Sequence, residues 1–163
     1  MHTDDRREHL YEVLKTFSAA MLVTMDDDGG HHARPMAVAE LTHEAGMCFV
    51  TSIATQKVDE INGNPDVCVS FQDSSRFASV TGTARLSRDR AKIERLWSPA
   101  WKAWFPKGKD DPEITLIEVT PSAGEYWDNA GIQGVKYLFE AARALVAGKK
   151  PVADKKQHAK VNL

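Results

Sequence analysis

The chain has 163 residues, of which 42% are hydrophobic, and a formal net charge of −2. That length suits one domain with a full core and is short for two. The balanced charge does not mark a general nucleic-acid binder, and no apolar run approaches membrane-spanning length.

From the N-terminus the charged stretch Thr3-Asp4-Asp5-Arg6-Arg7 is unlike a signal peptide, so a cytoplasmic protein is expected. Asp4 to Phe17 reads as a helix, with Leu10, Val13, Leu14 and Phe17 on one stripe and acidic residues opening it. Ser18 to Met25 is too apolar and too short for a surface helix and reads as a buried strand. Asp26-Asp27-Asp28-Gly29-Gly30 carries the Asp-Gly signal of a hairpin turn. His32 to Glu40 is the return strand, and Pro35, which has no N–H to give a ladder, requires an edge or a break there. The pair His31-His32 invites a metal reading. Adjacent strand residues face opposite ways, however, and no cysteine or carboxylate is spaced to help, so a solvated turn is expected and no metal site.

Met47 to Asp66 carries the most chemistry. Met47-Cys48-Phe49-Val50 is strand-like, then breaks into the hydroxyls Thr51, Ser52 and Thr55. A short helix with Val58 and Ile61 three apart follows, stopped by Asn62-Gly63-Asn64-Pro65. A strand that delivers hydroxyls to a helix start makes an anion site, because the orphan N–H donors and the helix dipole point the same way. Lys57 in the first turn opposes that dipole unless an anion is bound. The plainer alternative makes Thr55 an ordinary cap and Lys57 a solvated surface residue.

Val67 to Gln72 and Phe77 to Leu86 are further strands, the second alternating well, with Gly82 marking a bulge or a close backbone approach. The two cysteines, Cys48 and Cys68, both lie in such runs. They suggest buried free thiols in a reducing compartment, with a disulfide between neighbouring strands as the alternative. Asp89 to Trp97 returns to helical spacing. Ser98 to Pro112 is an aromatic-rich connection, and the series Trp97, Trp101, Trp104 either packs or roofs a pocket. Ile114 to Val119 and Glu125 to Asp128 read as two last strands separated by Pro121-Ser122. Val135, Leu138, Phe139, Ala142, Leu145 and Val146 give a C-terminal helix an apolar stripe. The domain is expected over residues 1–147, and the lysine-rich tail 148–163 is expected to fray. Six or seven short strands with short connections predict a mainly β protein, an antiparallel barrel with helices around it.

The order of a helix, a hairpin carrying Arg34-Pro35-Met36, a strand ending Phe49-Val50-Thr51-Ser52, then Lys57 and Asn64-Pro65 resembles the pyridoxamine 5′-phosphate oxidase-like flavoproteins. Within them it is similar to the bacterial general stress protein subgroup. The likeness covers about residues 5 to 130, including Val80 to Ala84 and Glu125 to Asp128. It implies a split β-barrel homodimer that binds FMN (FAD is the alternative) at the subunit interface. By that resemblance Arg34, Pro35, Met36 and Ala37 match the strand under the flavin that contacts its phosphate and ring. Val50 and Thr51 match the strand end beside the ring and ribityl chain, Thr55 and Lys57 the phosphate cradle, and Trp127 an aromatic placed by the flavin across the dimer. Arg, Lys, hydroxyl and backbone donors are what a phosphate dianion needs, and an apolar wall suits the ring.

The chain departs from the namesake oxidases in having no Arg–x–His pair after Trp127 and in carrying Gln56 where they are basic. Pyridoxamine 5′-phosphate oxidation is therefore not expected, and no catalytic acid or base is assigned. The expectation is a cytoplasmic general-stress-type flavoprotein, a flavin-dependent oxidoreductase of unidentified substrate. The alternative is a non-catalytic flavin-binding or sensing protein of the stress response. A tetrapyrrole-binding barrel is a third reading, disfavoured by the lack of a well-placed histidine. Neither nucleic acid nor membrane is an expected partner.

Overall fold

Apolar spacing sets the elements of the chain. The computed structural model describes residues 3–130, 142, 143, 146, 148 and 157–163. Helix α1 (Thr3–Leu14) buries Leu10, Val13 and Leu14, the predicted stripe. Strands β1 (Ala19–Met25), β2 (His31–Leu41), β3 (Met47–Ser52), β4 (Asp66–Gln72), β5 (Arg76–Ser87), β6 (Ile114–Asp128) and β7 (His158–Asn162) form one sheet in the order β3-β2-β1-β4-β5-β6-β7. A further β3–β6 pairing closes the first six strands into an antiparallel barrel, as expected. Helix α2 (Gln56–Gly63) follows β3. Helix α3 (Arg90–Leu96) and two 3-10 turns, Pro99–Ala103 and Gly108–Asp110, lie between β5 and β6.

Two clusters fill the molecule. The barrel interior holds Leu22, Phe49, Val69, Val80, Ile117 and Tyr126. A second cluster joins α3 and the aromatic connection to the outer side of β3 and β6 through Cys48, Ile93, Trp101, Phe105, Ile114 and Leu116. Strand β3 is thus covered on both faces, which is why Met47-Cys48-Phe49 reads as an unbroken apolar run. Both cysteines are free, Cys48 buried and Cys68 half-buried.

The barrel splits along one edge. The first half of β6 pairs with β3, and its second half pairs with β7. The first half of β2, residues 31–37, pairs with β1 alone among the described residues. Pro35 sits on that half. The Val38 N–H donates to the Ser18 carbonyl on the β1 side at 3.0 Å, so by alternation the Pro35 nitrogen points to the unpaired edge. The hairpin before β2 turns on Gly29, with φ of 81°. There the Asp26 carboxylate accepts from the Asp28 and Gly30 N–H groups at 3.0 and 2.7 Å.

Two expectations need correction. Ile114–Asp128 is one continuous strand of 15 residues, where two were expected. Pro121 is accommodated because it lies opposite Gly82 at a register shift, where a Cβ on Gly82 would stand 2.1 Å from the Thr120 carbonyl oxygen. The described end of the tail, residues 157–163, does not fray. His158–Asn162 pairs with β6 and buries Ala159 and Val161, and the alternation Ala159, Val161, Leu163 is the signal that the lysine content obscured. The predicted C-terminal helix falls largely outside the described residues; of its stripe, Ala142 and Val146 are described, and both are exposed.

Candidate functional site: a cleft between β2, β3 and the start of α2

A cleft of about 310 Å³ opens where β2 and β3 part. Strand β2 contributes Pro35, Met36 and Ala37, and strand β3 contributes Val50, Thr51 and Ser52. The entry to α2 supplies Thr55 and Lys57, and the first 3-10 turn and its flank supply Trp101, Trp104 and Phe105. Seven of the nine residues expected from sequence therefore line one cavity. Ser52, read from sequence as one of the anion-site hydroxyls, joins them, and Phe105 was assigned no role by reading along the chain. That reading left Trp101 and Trp104 between packing and roofing; they line the cleft. Trp101 also packs edge-on against Trp97, with ring centroids 5.7 Å apart, while Trp104 is 74% exposed.

The turn from β3 into α2 is built by hydroxyls. The Thr55 hydroxyl donates to the Ser52 carbonyl at 2.9 Å, and the Ala54 N–H donates to the Ser52 hydroxyl at 3.3 Å. Thr55 holds the N-cap position with extended backbone, yet its side chain makes no cap hydrogen bond. The amides of the first turn of α2 are thus left without a side-chain acceptor. The Lys57 ammonium donates to the Thr51 hydroxyl at 3.0 Å. Burial, and then the positive charge of Arg34, hold its pKa below the ordinary lysine value, with Glu60 opposing. No carboxylate pairs with Lys57 among the described residues. A half-buried cation without a counter-ion, two hydroxyls and a helix start form a donor set that fits a phosphate.

Arg34 is placed differently. It shares a strand with Pro35 but faces the other way, donating to the Glu60 carboxylate at 2.8 Å and to the Thr24 hydroxyl. Glu60 is buried, and its Oε1 also accepts from the Gln56 amide at 2.8 Å. Burial alone would push this carboxyl up, but the hydrogen bonds from Thr24 and Arg34 and the Arg34 charge leave it below the ordinary range. His32 also finds carboxylates, contrary to expectation, at 2.8 Å from Asp26 and 4.0 Å from Glu60. No group of three potential metal ligands forms among the described residues.

Trp127 lies outside the cleft of its own chain. Tyr126 points into the barrel core and is fully buried, so Trp127 faces outward, 36% exposed and opposite Phe77 on β5. Strand β7 returns a histidine that reading along the chain did not anticipate. His158 stacks on Trp127 with centroids 4.9 Å apart and lies 2.6 Å from the Glu125 carboxylate. No histidine is among the described residues that line the cleft itself.

Fold and site together define a split antiparallel barrel with a cleft at its seam lined by Lys57 and hydroxyls. The family described as pyridoxamine 5′-phosphate oxidase like matches residues 5–152, and the chain belongs to it. Among solved structures, the chain is similar to a candidate general stress protein 26 of Jannaschia sp. CCS1, with 25% identity, a TM-score of 0.75, and 98% of this chain and 99% of that one covered. It is also similar to a general stress FMN/FAD binding protein of Xanthomonas citri, with 28% identity, a TM-score of 0.65, and 78% and 92% covered. A curated relative, Protein bli-3 of Neurospora crassa, is 26% identical over 166 residues, spanning 93% of this chain and 78% of the relative.

Proposed function

We propose that this chain is a general-stress-type flavoprotein that holds FMN in the cleft between β2, β3 and α2, with its phosphate on Lys57, Thr51, Thr55 and the first turn of α2. The observation that carries this reading is Lys57, a half-buried ammonium that donates to a neutral hydroxyl and has no paired carboxylate among the described residues. Family membership and the flavin named for the Xanthomonas relative support it. Pro35, Met36, Ala37 and Val50 would form the apolar wall for the ring, and Trp101 and Phe105 would exclude water from its side. Arg34 would contribute the strand backbone and a fixed positive charge. Trp127 would meet the flavin of a second copy, since it faces outward from its own barrel.

Bound flavin supplies two-electron or one-electron transfer, and the protein supplies binding, orientation and field. Lys57 is the one titratable side chain among the described cleft-lining residues. A proton needed in any reaction would therefore come from solvent, the substrate or a second copy of the chain. That same observation favours a second reading, a flavin-binding or sensing protein without turnover. Pyridoxamine 5′-phosphate would need a further cation for its own phosphate, and the cleft offers none beside Lys57.

The colour of the purified protein and chromatography of the flavin released by denaturation test the reading. Yellow protein releasing FMN is expected; colourless protein that takes up no FMN overturns it. Anaerobic NADH or NADPH then separates the two readings: bleaching marks an oxidoreductase, and an unchanged band favours the binding role.

A further inference from the structure

We propose that Glu60 sets the strength of the anion site by withholding Arg34 from it. The identity of the anion as a flavin phosphate rests on the function proposed above; the restraint on Arg34 does not. The Glu60 side chain is 4% exposed, so its charge requires a partner at close range. Both carboxylate oxygens are engaged. Oε2 accepts from the Thr24 hydroxyl and from Arg34 Nη2, and Oε1 accepts from Gln56 Nε2. Of these donors only Arg34 carries a formal charge. The Arg34 side chain is itself tied down twice, by Glu60 and by Thr24, so the knot joins β1, β2 and α2.

Arg34 nevertheless directly precedes Pro35 of the cleft lining, and its positive charge disfavours that of Lys57. Two cations therefore stand near the start of α2, and one is claimed by a buried carboxylate. A phosphate that drew Arg34 away would strip Glu60 of its counter-ion in a low-dielectric site, which is strongly unfavourable. The dianion is left with Lys57, hydroxyls and amides. Such a site holds its ligand exchangeably, as a carrier or sensor requires.

The test measures FMN and riboflavin affinity of the full-length protein side by side. Glu60→Gln keeps the shape and an acceptor oxygen but removes the charge that holds Arg34. FMN is expected to bind about 3- to 10-fold more tightly, with riboflavin unchanged, because the released Arg34 adds a second cation to the phosphate site. The gain should vanish in Glu60→Gln/Arg34→Met. Unchanged or weaker FMN binding, a gain shared with riboflavin, or a gain that survives loss of Arg34 each overturns the proposal.

A measurement on the unsubstituted protein guards against failed folding. The Arg34 guanidinium signals in nitrogen-detected NMR should be motionally restricted before any flavin is added and should barely move when FMN binds. A freely rotating guanidinium, or one that shifts on to the phosphate, overturns the restraint. Absence of FMN binding alongside a restricted Arg34 would sink the proposed ligand and leave the Glu60 restraint standing.

Discussion

Lys57 concentrates the chemistry of the site at the scale of one residue. Its ammonium is half-buried, and burial and the charge of Arg34 both disfavour its protonated form, so it is poised to gain from any anion that enters. Lys57→Ala should weaken FMN by about 1.5–3 kcal/mol, the scale of a hydrogen bond to a charged group. Riboflavin, without the phosphate, should respond little. Paired titrations by flavin fluorescence check this, and equal losses for both ligands would make Lys57 a support of the fold. Cys48 shows the opposite use of burial. Desolvation pushes its thiol up to about 11, and Cys68 is raised by the same cause. Neither should be alkylated in the folded protein near neutral pH, and both should label once it is unfolded, as mass spectrometry can count.

Among the elements, the aromatic connection and α2 define the cleft in different ways. Trp101 is buried between α3 and β3 while also lining the cleft, and Trp104 stands at the rim. Trp101→Ala should cost about 3–5 kcal/mol of stability, the usual effect of deleting a large buried side chain. Trp104→Ala should leave stability within about 0.5 kcal/mol. Denaturant melts of the two variants measure this contrast, and equal losses would show that Trp104 is packed. The connection is held by α3, where Lys92 bridges Glu40 and Glu118, both at 3.1 Å, and Arg95 reaches Glu40 at 2.8 Å. Helix α2 is held by Glu60, whose pKa lies below the ordinary carboxyl value of 4.5. A depressed carboxyl contributes stability that is complete above the unfolded value and is lost as pH falls through the folded one. Stability should therefore decline below about pH 4.5, and Glu60→Gln should flatten that acid limb in chemical denaturation.

For the whole molecule, the outward face of the barrel is the open question of assembly. The register places Pro35, Met21, Ser70 and Ser79 in one outward row across β2, β1, β4 and β5, a small and uncharged surface. Phe77 and Trp127, 39% and 36% exposed, extend the apolar character at one end. A sheet face of this kind, beside an unpaired half-strand, suits a twofold partner. The homodimer is proposed on that ground, with an interface above roughly 2,000 Å² in total. Sedimentation at micromolar concentration should find a dimer; a stable monomer would remove the reason to bring Trp127 to a flavin. In the dimer, Trp127→Leu should brighten bound flavin by removing an indole quencher. Unchanged emission would assign Trp127 to its stack with His158 alone.

What the sequence determined by itself was everything carried by short-range order. The helix stripe Leu10, Val13, Leu14, the hairpin at Gly29, the bulge at Gly82 and the chain of hydroxyls before Lys57 are each encoded within a few residues. Spacing along the chain is enough to read them. That residues 35–37 share a site with Val50 and Thr51 was implied by the family resemblance and not by spacing, since β2 and β3 pair only from Val38 onward. Only the tertiary structure decided the rest. Whether Arg34 faces the cleft or Glu60 depends on which side of β2 the α2 helix covers, and pairing across 26 positions leaves no local trace. Strand β7 could be placed only once β6 ran on past its bulge and offered a free edge. The roof of Trp101, Trp104 and Phe105 exists because α3 is clamped to Glu40 and Glu118. Contacts between residues far apart in the chain are chosen by the burial of the whole core, and no window of sequence contains that sum.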